Sequence, residues 1–141
     1  MASSFPEVGK YMSARTPARV AARMRGHFGG HILFRPIGLV MFARLTSRVL
    51  RRLDMGAAMS ELALLPVSLS EPPYADVLWS VRQRRMTTDN ASLVARLLTY
   101  MLGGKVDRAK LKRDYAKVLG RPMVRTSLPG PVSEILAPEG G

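Results

Sequence analysis

The stretch Asp89-Asn90-Ala91-Ser92-Leu93-Val94-Ala95-Arg96-Leu97-Leu98-Thr99-Tyr100-Met101-Leu102-Gly103-Gly104 decides the fold. Leu93, Val94, Leu97, Leu98, Tyr100 and Met101 surround a helix of this register almost completely, and Arg96 is its only charge. A helix that is apolar all round belongs in the middle of a core. Asp89 or Asn90 is placed to cap its start, and Gly103-Gly104 to supply a left-handed stop.

On the C-terminal side, a second helix is expected from about Asp107 to Leu119. Leu111, Tyr115 and Val118 turn inward, while Lys110, Arg113 and Lys117 turn outward at helical spacing. Asp114 falls four residues from Lys110, within ion-pair reach. Gly120 ends the helix, and residues 121–141, with Pro122, Pro129, Pro131 and Pro138, read as a loose Pro/Gly-rich tail.

On the N-terminal side, Asp76-Val77-Leu78-Trp79-Ser80-Val81 alternates as a strand does, with Val77, Trp79 and Val81 on one side. Arg82-Gln83-Arg84-Arg85 forms the turn and Met86-Thr87-Thr88 the return strand, although the turn lacks the Gly or Asn that tight hairpins prefer. Earlier still, a helix is expected from about Ala57 to Leu65. Another runs from Pro36 to about Arg52, with Leu39, Phe42, Thr46, Val49 and Leu53 near one inward face, Leu45 and Leu50 flanking it, and Arg44, Arg48, Arg51 and Arg52 on the opposite, wholly basic face. Ile32-Leu33-Phe34 reads as a short extended run. Thr16-Pro17 opens a helix that stops at Gly26. The expected fold is therefore mainly α: a compact helical domain of about five helices with one small β-hairpin. It spans residues 16–120, with the hairpin near 76–88 and a flexible N-terminal segment over 1–15.

Composition narrows the function. The chain has 141 residues, 47% of them hydrophobic, no cysteine, and a net charge of +12. Without cysteine there are no disulfides, thiolate nucleophiles or cysteine metal sites. The longest apolar run, Ile37 to Ala43, stops at Arg44, far short of the ~20 residues a membrane span needs. Residues 1–7 lack a basic stretch leading into an apolar one, so a cytoplasmic location is expected rather than secretion. Arg15, Arg19, Arg23 and Arg25 among small residues imitate a transit peptide, and Pro6 and Glu7 count against one. His27 and His31 are the only histidines and have no nearby carboxylate, so no metal site is expected; a hydrogen-bonded structural histidine is. There is no Gly-x-Ser-x-Gly elbow and no pair of carboxylates placed for acid–base work. Gly26-His27-Phe28-Gly29-Gly30 lacks the Lys-Ser/Thr of a phosphate loop. The chain reads as a non-enzyme without a cofactor.

The basic groups are the better candidates. A chain this cationic attracts polyanions. Arg82, Arg84 and Arg85 project from the hairpin tip. Lys105, Arg108, Lys110, Lys112, Arg113 and Lys117 make the last helix positive on its outer surface. Two helices joined at Gly103-Gly104 suggest a helix-turn-helix, but the second offers lysine and arginine where base readers would be Asn, Gln or Ser. Contact with DNA would then be to phosphates and independent of sequence. The competing reading is a solvated basic face with no partner.

Four segments carry a family resemblance: Gly30-His31-Ile32-Leu33-Phe34-Arg35-Pro36-Ile37-Gly38; Leu69-Ser70-Glu71-Pro72-Pro73-Tyr74; Val77-Leu78-Trp79 leading to Arg85-Met86; and Leu97-Leu98-Thr99-Tyr100-Met101-Leu102-Gly103. Together they resemble the carboxy-terminal region of DGQHR-domain proteins, the group that includes DndB-type regulators of DNA sulfur modification. The namesake Asp-Gly-Gln-His-Arg motif of that family's amino-terminal domain does not occur in this sequence. The resemblance thus implies the helical half alone, in a setting of DNA modification and phage defence. The expected role is a DNA-associated accessory or remnant module, or a protein–protein module whose partner carries the missing domain.

Overall fold

The structure, a computed structural model, describes residues 30–138. The expected segment 1–15, the helix between Thr16 and Gly26, and His27 lie outside the described residues. A 3-10 turn at Ile32–Phe34 is followed by α1 (Pro36–Val49), α2 (Met55–Leu62), a hairpin of β1 (Trp79–Ser80) and β2 (Arg85–Met86), α3 (Ala91–Met101) and α4 (Arg108–Leu119). The fold is mainly α, with a single antiparallel hairpin among the described residues. Helix α3 packs in the core through one face and not, as expected, all round: Leu93, Val94, Leu97, Leu98 and Met101 are buried, with α1 and α4 packed beside it, while Ser92 is exposed and Ala95, Arg96, Thr99 and Tyr100 are half-buried. Its stop is the expected one, with Gly103 at φ 84° and the Gly104 amide donating to the Thr99 carbonyl at 2.8 Å. Its start differs. Asn90 occupies the cap position without a capping bond, and its Nδ2 donates instead to the Val77 carbonyl at 3.2 Å, tying the helix to the hairpin.

Helix α1 is rotated from its expected phase. The buried face is Gly38, Met41, Phe42, Leu45 and Val49, while Leu39 is 49% exposed. The cause is local. A Cβ on Gly38 would lie 2.1 Å from the Ile32 carbonyl oxygen, so the backbone of the preceding turn seats directly on this glycine and fixes which side faces inward. Thr46, expected inward, satisfies its hydroxyl within the helix on the Phe42 carbonyl at 2.6 Å. Ile32-Leu33-Phe34 is a buried 3-10 turn rather than an extended run, because His31 Nδ1 accepts the Leu33 amide at 3.1 Å and closes it. Helix α2 begins at Met55, two residues before the expected Ala57, because Asp54 caps it by accepting the Ala57 amide at 2.8 Å.

The hairpin is shorter than its alternating sequence suggests. Only Trp79↔Met86 and Ser80↔Arg85 pair. Val77, Leu78 and Trp79 are all buried while Val81 is exposed, so the two-residue period fails. Residues 74–78 are tight turns instead: Asp76 takes φ 60°, and the Val77 and Leu78 amides both donate to the Tyr74 carbonyl. At the tip Arg84 takes φ 53°, the position where glycine or asparagine was missed in the sequence, and its amide closes on the Ser80 carbonyl at 2.8 Å.

The segment after Gly120 differs most from expectation. It is packed through residue 138, not loose. Leu136 and Thr126 are buried, and the Val132 and Leu136 amides donate to the Met101 and Leu102 carbonyls at 2.8 and 2.9 Å. Carbonyls at the last turn of a helix have no partner within it. Here the chain returns across the end of α3 and supplies them. The prolines, which lack an amide and favour extended backbone, suit that path. Arg52 of the α1–α2 turn donates to the Ile135 and Ala137 carbonyls, and Ser133 Oγ donates to Glu61 of α2 at 2.5 Å.

Candidate nucleic-acid interface

The disposition of the acids governs the surface. Asp54 and Asp107 cap α2 and α4, the latter accepting the Lys110 amide at 3.1 Å. Asp76 Oδ1 accepts the Val81 amide, and Glu61 holds Ser133. Asp114 Oδ2 lies 2.9 Å from Arg96 Nη2, so its ionic partner is on α3 and not the expected Lys110. That is the one ion pair between described residues. Five carboxylates thus serve caps, turns and inter-element bonds, in a chain with 22 lysines and arginines against 10 acids. The basic groups outnumber the carboxylates by more than two to one.

The residues chosen from sequence divide into two groups. Arg82, Arg84 and Arg85 stand exposed at the hairpin tip, where Arg85 Nε donates to Gln83 Oε1 at 2.7 Å. Lys105 is exposed in the α3–α4 connection, and Arg108, Lys110, Arg113 and Lys117 are exposed on α4, with Lys112 half-buried. The Arg108 guanidinium lies over the Tyr100 ring, 5.5 Å from its centroid. Lys105 and Lys110 come together in a groove of about 540 Å³, and there they meet Arg48 from α1 and Arg96 from α3. Thr99 lines the same groove, its hydroxyl accepting from Arg48 Nη1 at 3.1 Å. Among the described residues Asp107 is the single acid lining that groove. Lys117 lines a second hollow beside Asp89, Ser92 and Arg96, so α4 runs back antiparallel along α3.

The hairpin arginines are not part of this cluster. The hairpin leads into the N-terminus of α3 and Lys105 follows its C-terminus, about 16 Å away along an eleven-residue helix. Conversely, Arg48 and Arg96 belong to the groove without having been selected from sequence. The available signal for Arg48 was its place in the Arg44/Arg48/Arg52 series at helical spacing. Arg96 had only its position as the lone charge on an apolar helix.

Among the described residues no group of three or more His, Asp or Glu is placed to hold a metal ion, and no helix is long and apolar enough to cross a membrane. No family model, curated protein or solved structure matches the chain. The residues that carry the DGQHR resemblance are scaffold positions here. Gly38 admits the Ile32 carbonyl, Arg35 stacks 5.1 Å over the Trp79 ring, Tyr74 donates its hydroxyl to the Pro66 carbonyl at 2.5 Å, and Gly103 stops α3.

Proposed function

We propose that the chain is a non-enzymatic, DNA-associated accessory module of a DGQHR-type modification or defence system. It holds the phosphate backbone without reading bases. Lys105, Lys110, Arg48 and Arg96 form the principal contact, Arg113 and Lys117 extend it along α4, and Arg82, Arg84 and Arg85 reach a second point on the duplex. The observation that carries this reading is the meeting of Lys105, Lys110 and Arg48 in one groove, with Arg96 beside them paired to Asp114, in a chain whose 22 lysines and arginines outnumber its 10 acids. Lysine and arginine on exposed helix positions give charge and geometry for phosphates and none for base edges.

The test is a titration of duplex DNA of arbitrary sequence across a range of salt. Phosphate contact releases counterions, so log affinity falls linearly with log salt at about −0.9 per phosphate neutralised. The double change Lys105→Gln/Lys110→Gln lowers the magnitude of that slope by about 2. Binding that ignores ionic strength, or a slope unaffected by the double change, contradicts the assignment.

A further inference from the structure

A second groove, of about 610 Å³, opens between α1 and α3 and differs in character from the first. Its walls are Pro36, Ile37, Val40 and Met41 on one side and Ala91 and Ala95 on the other. Val40 is 49% exposed, as is its neighbour Leu39, in a helix whose remaining large apolar residues are mostly buried. Arg44 and Arg48 stand one turn apart on the rim of the same groove. The α3 wall is made of small side chains, which let a third helix approach the backbone closely, and a helix packed in the trough of two others lies about 8–10 Å from each.

We propose that this groove docks an acidic amphipathic helix of a partner polypeptide, its apolar face on Val40, Ile37 and Ala95 and its carboxylates on Arg44 and Arg48. Helix-in-groove recognition needs an apolar trough for anchors at i, i+3/i+4 and i+7, together with charges that fix orientation. Both lie along α1. Charge selects the occupant. The whole chain carries +12, which sets a second copy of it against the arginine rim. Residues 1–29 hold Lys10, Arg15, Arg19, Arg23 and Arg25 against Glu7 alone, a net charge of the same sign as the rim. Bare nucleic acid matches the arginines and leaves the apolar wall uncovered.

The probe is a synthetic helical peptide with leucines on one face and glutamates flanking them, labelled and titrated into the full chain by fluorescence anisotropy. Two companion peptides are used: one with lysine in place of glutamate, and one of identical composition with the leucines scattered round the helix. Saturable binding of the first, at least tenfold tighter than either companion, is expected. Val40→Glu and Arg44→Glu, both at exposed helix positions, are each expected to weaken it at least tenfold while leaving the circular dichroism spectrum unchanged. Equal binding of the lysine or scattered peptide, or indifference to both substitutions, overturns the proposal. Displacement of the peptide by duplex DNA with DNA binding itself lost in Val40→Glu gives the groove to the phosphate surface and overturns it too. So does a dimer in sedimentation that Val40→Glu dissociates.

Discussion

Asp114 Oδ2 sits 2.9 Å from Arg96 Nη2, joining α4 to α3 where the basic groove meets a hollow of mixed charge. Both side chains are about a third exposed, so solvent screens the pair and its contribution to stability falls below about 1 kcal/mol. Its larger effect is on the field outside the protein, because Asp114 neutralises the cation at the centre of the cluster. Asp114→Asn is expected to leave the urea midpoint almost unchanged. It should tighten duplex binding and steepen the salt slope by about 1, the value for one additional phosphate contact. A loss of DNA affinity in this variant would remove Arg96 from the interface.

Gly38 tests how the first helix is seated. Alanine ordinarily favours a helix interior over glycine by about 1 kcal/mol. Here the added Cβ meets the Ile32 carbonyl oxygen at 2.1 Å and the Ile32 side chain at 2.5 Å. Either the turn or the helix must move, and overpacking of this kind costs about 1–3 kcal/mol or more. Gly38→Ala is therefore expected to destabilise despite its helix propensity. Gly120→Ala makes the informative comparison: φ is 67° and no atom lies within 4 Å of the new Cβ, so only the left-handed backbone penalty of about 1–2 kcal/mol applies. Chemical denaturation of the two variants should rank Gly38→Ala as the less stable.

What the sequence made legible, and what it hid, follows from where each signal originates. The inward leucines of Leu93–Met101, the Asp107 cap and the stops at Gly103 and Gly120 are local properties, and the structure realises them, although α3 buries one face and not its whole circumference. The rotation of α1 was not local. Leu39 and Phe42 match an inward stripe as well as Met41 and Leu45 do, and the choice is made by the Ile32 carbonyl resting on Gly38. The basic groove was hidden for the same reason, since Arg48, Arg96 and Lys110 come from three helices and share no spacing in the chain. The hairpin tip was visible as a run of arginines. The turns at residues 74–78 were masked by an alternation that buried Leu78 alongside its neighbours.

The returning segment after Gly120 offers a direct measurement. Were it loose, truncating Leu136 would cost nothing. As packed, with Leu136 in the core cluster, Leu136→Ala is expected to lower stability by about 2–5 kcal/mol. Arg52→Ala removes the donor shared by the Ile135 and Ala137 carbonyls without touching the core. In hydrogen exchange it should accelerate the Val132, Ser133 and Leu136 amides, which bond to the end of α3, while the interior amides of α3 keep their protection. Uniform acceleration across both would mean that the segment unfolds only with the whole domain.

Alkaline pH probes the interior independently of any partner. Burial pushes the Tyr74 phenol well above its usual range, and burial also raises Tyr115, with Arg121 opposing the shift. An unfolded tyrosine ionises near 10. Below that pH both states keep their protons and the native contribution is complete. Above it the unfolded chain releases protons that the native fold retains, so stability falls as pH climbs from about 10 toward the raised native values, with a limiting slope of about 1.4 kcal/mol per pH unit for a phenol as buried as Tyr74. A difference between two variants isolates the contribution of this one phenol. Tyr74→Phe removes the bond from the hydroxyl to the Pro66 carbonyl and is expected to cost about 1 kcal/mol near neutrality. It also removes the ionisable group, so above pH 10 its stability should decline less steeply than that of the unmodified chain and the two curves should converge. Parallel curves over that range would show that Tyr74 titrates alike folded and unfolded, and would place its ring at the surface rather than under the loop that carries Pro66.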